Sequence, residues 1–550
     1  MLRITGYSDK YAAFPREKVK FYINSEKSEN YDVQIVRLIH GDTNPEGPGY
    51  KEEEIGASCN GNYEGRNQKI HGGSYIVIPQ DNRFNTESFT LQAYVFPTTP
   101  DKGRQGLLTK WNENNNSGYG VFIDDNACLS VMIGDGDGQV FNLSSEKKLM
   151  RKVWYLVAAS YNSETGKVIL YQEPCVTPTN GGLGMSLLHP AEETTALVEG
   201  TNNMKPGIND APFLMAASTV KERSGRNISG GHYKEAINPV ELPEHGFVYN
   251  GKIDRPRLSN KALTKAEIES LASSYTACSS DLRAKVVGAW DFHANITKNI
   301  ASTFIVDVSP SHLNGFIINL PCRGMTGYNW TADDIVYHHK PEEYGAIHFH
   351  DDDIDDARWE VDFTFDVPNI IKSGIYAARL RINGEDSPET EDFVPFVIKP
   401  PKGKTTSKLA FIVPTNSYMA YSNDNLGTNS VVAQLLAGKV PVMSASDLYL
   451  NEHREYGLST YSLHSDGSGV CYSSRLRPIL NMRPKYRHWL SPSLWQLNGD
   501  LHLTDWLEEK GLDFDVLTDE DLHIEGVDLL NRYQCVLTGS HPEYSSEKMI

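Results

Sequence analysis

Period-two alternation opens the chain. Val19, Phe21 and Ile23 alternate with polar neighbours, and Tyr31-Asp32-Val33-Gln34-Ile35-Val36 repeats the pattern, which predicts two strands with one face buried. Two strands cannot stand alone, and similar composition returns only in 359–367 (WEVDFTFDV), 375–382 (IYAARLRI) and 393–398. The expectation is a discontinuous, Ig-like β-sandwich formed by residues 1–59 and 336–400, interrupted by a long insertion.

The insertion, 60–335, carries short apolar runs at close spacing: SFTLQAYVFP (88–97), GYGVFI (118–123), CLSVMI (128–133), VWYLVAASY (153–161) and KVILYQ (167–172). Strands at this rhythm predict a sandwich. In the pair 154–171, Glu164-Thr165-Gly166 supplies the positive-φ residue of a tight hairpin loop. The hairpin, SFTLQAYVFP and GKIDRPRLSNKALTKAEIESL (251–271) resemble a laminin G or concanavalin-A-like jelly roll, a fold that often binds carbohydrate.

Residues 401–407 belong to a Pro/Gly/Lys linker, and the pattern then changes. KLAFIV (408–413) is continuously apolar, as a strand covered on both faces must be. LTDWLEEKG (503–511) reads as an amphipathic helix with a Gly stop, and FDVL (514–517) and CVLTG (535–539) continue the alternation of strand and helix. A parallel α/β domain is therefore expected over 408–550, with its sheet incomplete at the C-terminal side.

At about 100–200 residues per domain, 550 residues accommodate these regions. Lys and Arg number 52 against 71 Asp and Glu, a net charge of −19 that argues against nucleic acid or an anionic membrane as partner. The seven cysteines stand singly with no C-x-x-C pair, and the N-terminus lacks an apolar signal region. A cytoplasmic protein with reduced thiols is expected.

Ligands in open α/β sheets bind beyond the carboxyl ends of the strands. The segments in that position are Pro414–Asn423 (PTNSYMAYSN) after KLAFIV and Ser540-His541-Pro542-Glu543-Tyr544 after CVLTG, with the long polar stretch 456–478 between them. PTNSYMAYSN, YSLHSDGSG (461–469), DFDVLTDEDLH (513–523) and LTGSHPEY (537–544) resemble the large subunit of N,N-dimethylformamidase, and the likeness spans essentially the whole chain.

That resemblance implies an amidohydrolase with a C-terminal domain similar to glutamine amidotransferases. It also implies one mononuclear Fe(III), held by Tyr421, Tyr461 and Glu543, with His541 serving the chemistry and Tyr418 as the alternative to Tyr421. The expected reaction converts N,N-dimethylformamide and similar small formamides to formate and an amine, and the expected partner is a small helical subunit in an α2β2 or larger oligomer. Phenolate and carboxylate are hard anionic donors that suit a trivalent cation, and a residue titrating near neutrality suits proton delivery to a departing amine.

Two other readings stand beside this one: a serine-type hydrolase using Ser540 and His541, and a non-enzymatic carbohydrate-binding protein. The first is disfavoured because adjacent side chains on an extended segment point to opposite faces. The acidic run around His348 and His350 reads as a solvated loop, and Asp135 and Asp137 in GDGDG read as turn formers before calcium ligands.

Overall fold

The structure is a computed structural model and describes residues 2–550 except 176, 178, 180–193, 222–225, 229–232, 237–238, 425, 427–433, 436–437, 439 and 491–492. It is mostly β-sheet and divides into two units, Gly73–Asp353 and a discontinuous one formed by Met1–Gly72 with Ile354–Ile550.

The inserted unit is built on two eight-stranded sheets. One centres on Phe89–Pro97, flanked by Tyr155–Tyr161 and Gly251–Ser259; the other runs through Gln105–Asn112, Ser117–Ile123 and Cys128–Asp135. Alternate side chains of both sheets, among them Leu91, Val95, Val121, Val131, Val157 and Tyr161, interlock in one core. The hairpin forms as its sequence implies: Tyr155–Tyr161 pairs antiparallel with Lys167–Pro174, Asn162 Oδ1 accepts from the Glu164 amide at 2.9 Å, and Gly166 takes φ 71°. Thr264 and Glu267 form a reciprocal capping box that starts the helix Lys265–Ser273, which covers the outer side of the Phe89–Pro97 sheet through Ile268 and Leu271. The division falls at 72/73 and 353/354 rather than near 60 and 335. Strand Gly61–Tyr63 pairs with Tyr31–His40, whereas Ala346–Phe349 pairs with Gly251–Ser259.

In the discontinuous unit, a three-stranded sheet (Ile4–Ser8, Lys18–Ser25, Phe363–Asp366) faces a larger sheet whose centre is Tyr31–His40, Gly374–Ile382 and Glu391–Ile398. Val33 and Ile35 face the sandwich core with Phe21 and Phe365. Val36 and Leu38, together with Ile375 and Val397, face the α/β region instead, where they meet Phe411, Leu501 and Val516. The central sheet is thus covered on both faces, where the alternation at its start predicts one buried face: from Ile35 to Leu38 the strand Tyr31–His40 places apolar side chains on both sides, and the α/β region takes the second set. The α/β region holds a parallel sheet with Leu409–Val413 in the middle, between Asp515–Thr518 and Cys535–Thr538. Among the described residues no helix is long and apolar enough to cross a membrane.

Candidate active site

The site grows from the carboxyl end of Leu409–Val413. Pro414 leads directly into the short helix Thr415–Ala420, which ends at Tyr421. The Tyr461 loop is stapled to that helix end, because the Thr460 amide and hydroxyl both donate to the Ala420 carbonyl at 3.0 Å. The two phenol rings consequently stack, with centroids 4.4 Å apart and 13° between planes.

Arg477 holds the frame beneath them. Its guanidinium is 1% exposed and donates to the carbonyls of Tyr456 (2.6 Å) and Leu458 (2.9 Å) and to the hydroxyls of Ser422 (2.8 Å) and Ser473 (3.0 Å). Burial pushes this group down to about 10, and it has only neutral acceptors around it. One side chain therefore ties the end of the Tyr421 helix to both flanks of the Tyr461 loop.

The third strand, Cys535–Thr538, delivers the remaining groups. Asp500, buried within the helix Leu497–Glu509, accepts from the Ser540 amide, and the Glu543 amide donates to Ser417 Oγ at 3.0 Å. Anchored at those two points, the segment turns the Glu543 carboxylate onto the tyrosines. The Tyr421 hydroxyl donates to Glu543 Oε2 at 2.6 Å and lies 2.9 Å from the Tyr461 hydroxyl, which is 3.3 Å from both carboxylate oxygens. His541 Nε2 is 2.9 Å from Glu543 Oε2. The structure thus brings together Tyr421, Tyr461, Glu543 and His541, and the face they form is open, with the Glu543 side chain 41% exposed.

Tyr418 is turned elsewhere: its buried hydroxyl is hydrogen-bonded to Asp500. Ser540 contributes its amide to Asp500, and among the described residues no hydrogen bond joins its hydroxyl to His541. The electrostatics follow from the crowding of acids. Burial, then the hydrogen bonds with Glu543 and Tyr461, raises the Tyr421 phenol far above its ordinary value. The hydrogen bond from Tyr421, assisted by His541 and Tyr461, lowers Glu543.

Four further groups belong to this arrangement. Tyr544 puts its hydroxyl against that of Tyr461; Trp495 packs 5.0 Å from His541 and 5.5 Å from Tyr421, centroid to centroid; Asp500 and Arg477 position the loops. Tyr544 adjoins the S-H-P-E segment and was within reach of sequence reasoning. Asp500 and Arg477 look like ordinary surface residues in one dimension, and only their burial reveals them.

Of the other segments weighed from sequence, the acidic run is buried rather than solvated. His350 Nδ1 lies 3.2 Å from Asp353 Oδ2, which also accepts from Ser74 Oγ at 2.6 Å, so internal partners replace water. In GDGDG, Asp135 Oδ1 accepts from the amides of Asp137 and Gln139, as a turn former does.

Comparison with known proteins places the chain in a family. A family profile described as N,N-dimethylformamidase beta subunit-like, C-terminal, matches residues 323–550, and one of the concanavalin A-like lectin/glucanases superfamily matches 71–173. The N,N-dimethylformamidase beta subunit of Paracoccus aminophilus is 37% identical over 551 residues, covering 99% of this chain and 68% of that protein. Its counterpart from an Alcaligenes species is also 37% identical, over 557 residues, with the same coverage. A putative carbohydrate binding protein from Bacteroides ovatus is 14% identical over 57% of this chain and 95% of that one, at a TM-score of 0.27, too low to bear on the account. On the strength of these two relatives, matched over nearly the whole of this chain, the chain belongs to the N,N-dimethylformamidase beta subunit family and, with it, to the amidohydrolases.

Proposed function

We propose that this chain is the large, catalytic subunit of a dimethylformamidase, hydrolysing N,N-dimethylformamide and similar small N-substituted formamides to formate and dimethylamine or the related amine. The observation that carries this reading is the convergence of oxygens from Tyr421, Tyr461 and Glu543, 2.6–3.3 Å apart, with His541 beside them.

Three oxygen acids this close compete for protons, and a bound cation relieves the conflict by taking the place of those protons. Two phenols and one carboxylate are hard donors without sulfur, so they fit a mononuclear Fe(III), one per chain. When bound, such an ion supplies Lewis acidity toward an amide carbonyl and acidifies a water.

The chain's own residues move protons and orient groups. A carboxylate acceptor at Nε2 favours the His541 tautomer with its proton on that nitrogen, leaving the Nδ1 lone pair for the substrate side. Nδ1 accepts a proton as the water oxygen bonds to the carbonyl carbon. It returns the proton to the amide nitrogen as the C–N bond breaks, so the amine leaves neutral. Asp500 and Ser417 hold the strand-end segment, and Arg477 holds the opposing tyrosine loops, so the reacting groups keep their spacing.

The relatives' designation as beta subunits supports a multi-subunit enzyme, which we read as pairing with a small helical subunit in an α2β2 or larger cytoplasmic oligomer serving xenobiotic degradation. Within the fold, we read the two-sheet sandwich as Ig-like and the parallel region as glutamine-amidotransferase-like. The test is dimethylamine release from N,N-dimethylformamide by the purified full-length protein, produced with its small subunit. Turnover that disappears in Glu543→Ala supports the assignment, whereas turnover unchanged in that variant contradicts it.

A further inference from the structure

The inserted unit contains a second polar cluster with the opposite character. Asp254, on the strand Gly251–Ser259, is 0% exposed, and among the described residues no side-chain donor reaches either of its carboxylate oxygens, the neighbouring Arg255 amide being the one backbone donor that faces it. A buried carboxylate in that condition is costly unless a positive charge or donors face it. Two guanidinium groups are near but spent elsewhere. Arg257 pairs with Asp291 and donates to the carbonyls of Pro256 and Trp290, and Arg255 donates to Tyr328 Oη (2.7 Å) and the Ser273 carbonyl (2.5 Å).

The neighbours add an amide oxygen and an imidazole nitrogen, the latter an acceptor in the tautomer that carries its proton on Nε2. Asn329 gives its amide hydrogen to the Glu342 carbonyl, which turns Asn329 Oδ1 inward, and that oxygen is buried without a donor. His293 Nδ1 is likewise buried and unpartnered. The placement is built. The register of Gly251–Ser259 against Phe89–Pro97 breaks between Asp254 and Arg257, and Arg255 adopts φ 48°, a strained value for a residue with a side chain. The gap is kept open by two glycines, neither with a positive φ. A Cβ at Gly327 would stand 2.7 Å from Asp254 Oδ2, 2.9 Å from Asn329 Oδ1 and 3.3 Å from the Glu343 carbonyl, and one at Gly345 would stand 3.0 Å from Asp254 Oδ1 and 3.5 Å from His293 Nδ1. A side chain at either position would crowd these polar atoms, most closely at Gly327.

We propose that Asp254, Asn329 Oδ1 and His293 Nδ1 form a structural site for a divalent metal cation in the lectin-like unit, separate from the Tyr421–Tyr461–Glu543 cluster. One cation compensates the carboxylate and satisfies every orphaned acceptor together, which one proton on Asp254 cannot do. The imidazole among oxygen donors favours Zn2+ over Ca2+, whose sites are built from oxygen.

The experiment uses the full-length chain carrying Tyr421→Phe and Glu543→Gln, so that the other cluster does not contribute. After chelator treatment, Zn2+ is titrated by calorimetry and the melting temperature is followed with and without the ion, Ca2+ serving as the control. The expected result is about one Zn2+ bound per chain with a rise in melting temperature, both lost in Asp254→Asn. Should Asp254→Asn fail to fold, Gly327→Ala serves as the second variant: its methyl fills the gap and is expected to abolish binding while the chain stays folded. No Zn2+ bound by the parent, or equal binding by parent and Gly327→Ala, would overturn the proposal and leave the cluster to buried water or a protonated acid.

Discussion

The two polar clusters of this molecule solve the same electrostatic problem differently. At Tyr421, Tyr461, Glu543 and His541, acidic groups hydrogen-bond to one another on an open face, and water reaches the carboxylate. At Asp254 the polar atoms are buried without side-chain donors. The open face of the first cluster suits the exchange of protons and contacts for a substrate or an ion that the proposed reaction needs; the closed setting of the second suits the permanently held cation proposed for it. Openness, more than residue type, distinguishes them.

The sharpest way to break this comparison is to remove His541, the proposed proton carrier, from the open cluster alone. His541→Ala is expected to lower kcat by about 10²–10⁴-fold while leaving the fold and the metal content intact, as read by steady-state assay and elemental analysis. Loss of the metal in that variant would make the imidazole a ligand.

Next in size is the frame. Arg477→Met removes every hydrogen bond that the buried guanidinium gives to the loops, those to Tyr456, Leu458, Ser422 and Ser473 among them, so a destabilisation of about 3 kcal/mol or more is expected in denaturant unfolding. An unchanged unfolding midpoint would show that the loops hold themselves. Asp500→Asn keeps the shape but loses the charge that receives the Ser540 amide and the Tyr418 hydroxyl. Activity is expected to fall by about 10–100-fold, with circular dichroism unaltered.

The smallest effect concerns Asp519, which accepts from the Asn416 amide at 2.9 Å next to the Tyr421 helix. Burial, opposed by that hydrogen bond and assisted by the charge on Asp500, pushes its carboxyl up to about 6. The unfolded chain releases this proton near pH 4, at about the ordinary Asp value, so the group favours the folded state in acid and its contribution fades as pH rises through about 6. Asp519→Asn should therefore flatten the pH dependence of stability between those two values. An identical slope in variant and wild type would contradict the assignment.

Much of this was legible in one dimension where a local pattern carried it. The hairpin closed by Gly166 and the apolar run at Leu409–Val413 follow from periodicity and turn chemistry, and the strand-end segments holding Tyr421 and Glu543 follow from the habit of α/β sheets. What escaped depends on distant pairing. Ala346–Phe349 joins the inserted sheet through Gly251–Ser259, a partner nearly a hundred positions away, and the buried state of the run beginning at His348 follows from that pairing. Asp254, His293 and Asn329 share no motif, so their meeting is a property of the fold. Tyr418 and Tyr421 are equivalent by spacing, and only the direction each hydroxyl takes separates them.

The measurement that tests the central claim most directly is iron content together with the visible absorption spectrum of the full-length protein, for wild type, Tyr421→Phe and Glu543→Ala. The account predicts about one iron per chain and a phenolate-to-iron charge-transfer band, altered in Tyr421→Phe and lost with the metal in Glu543→Ala. A folded, active wild-type protein that is colourless and free of iron would contradict it.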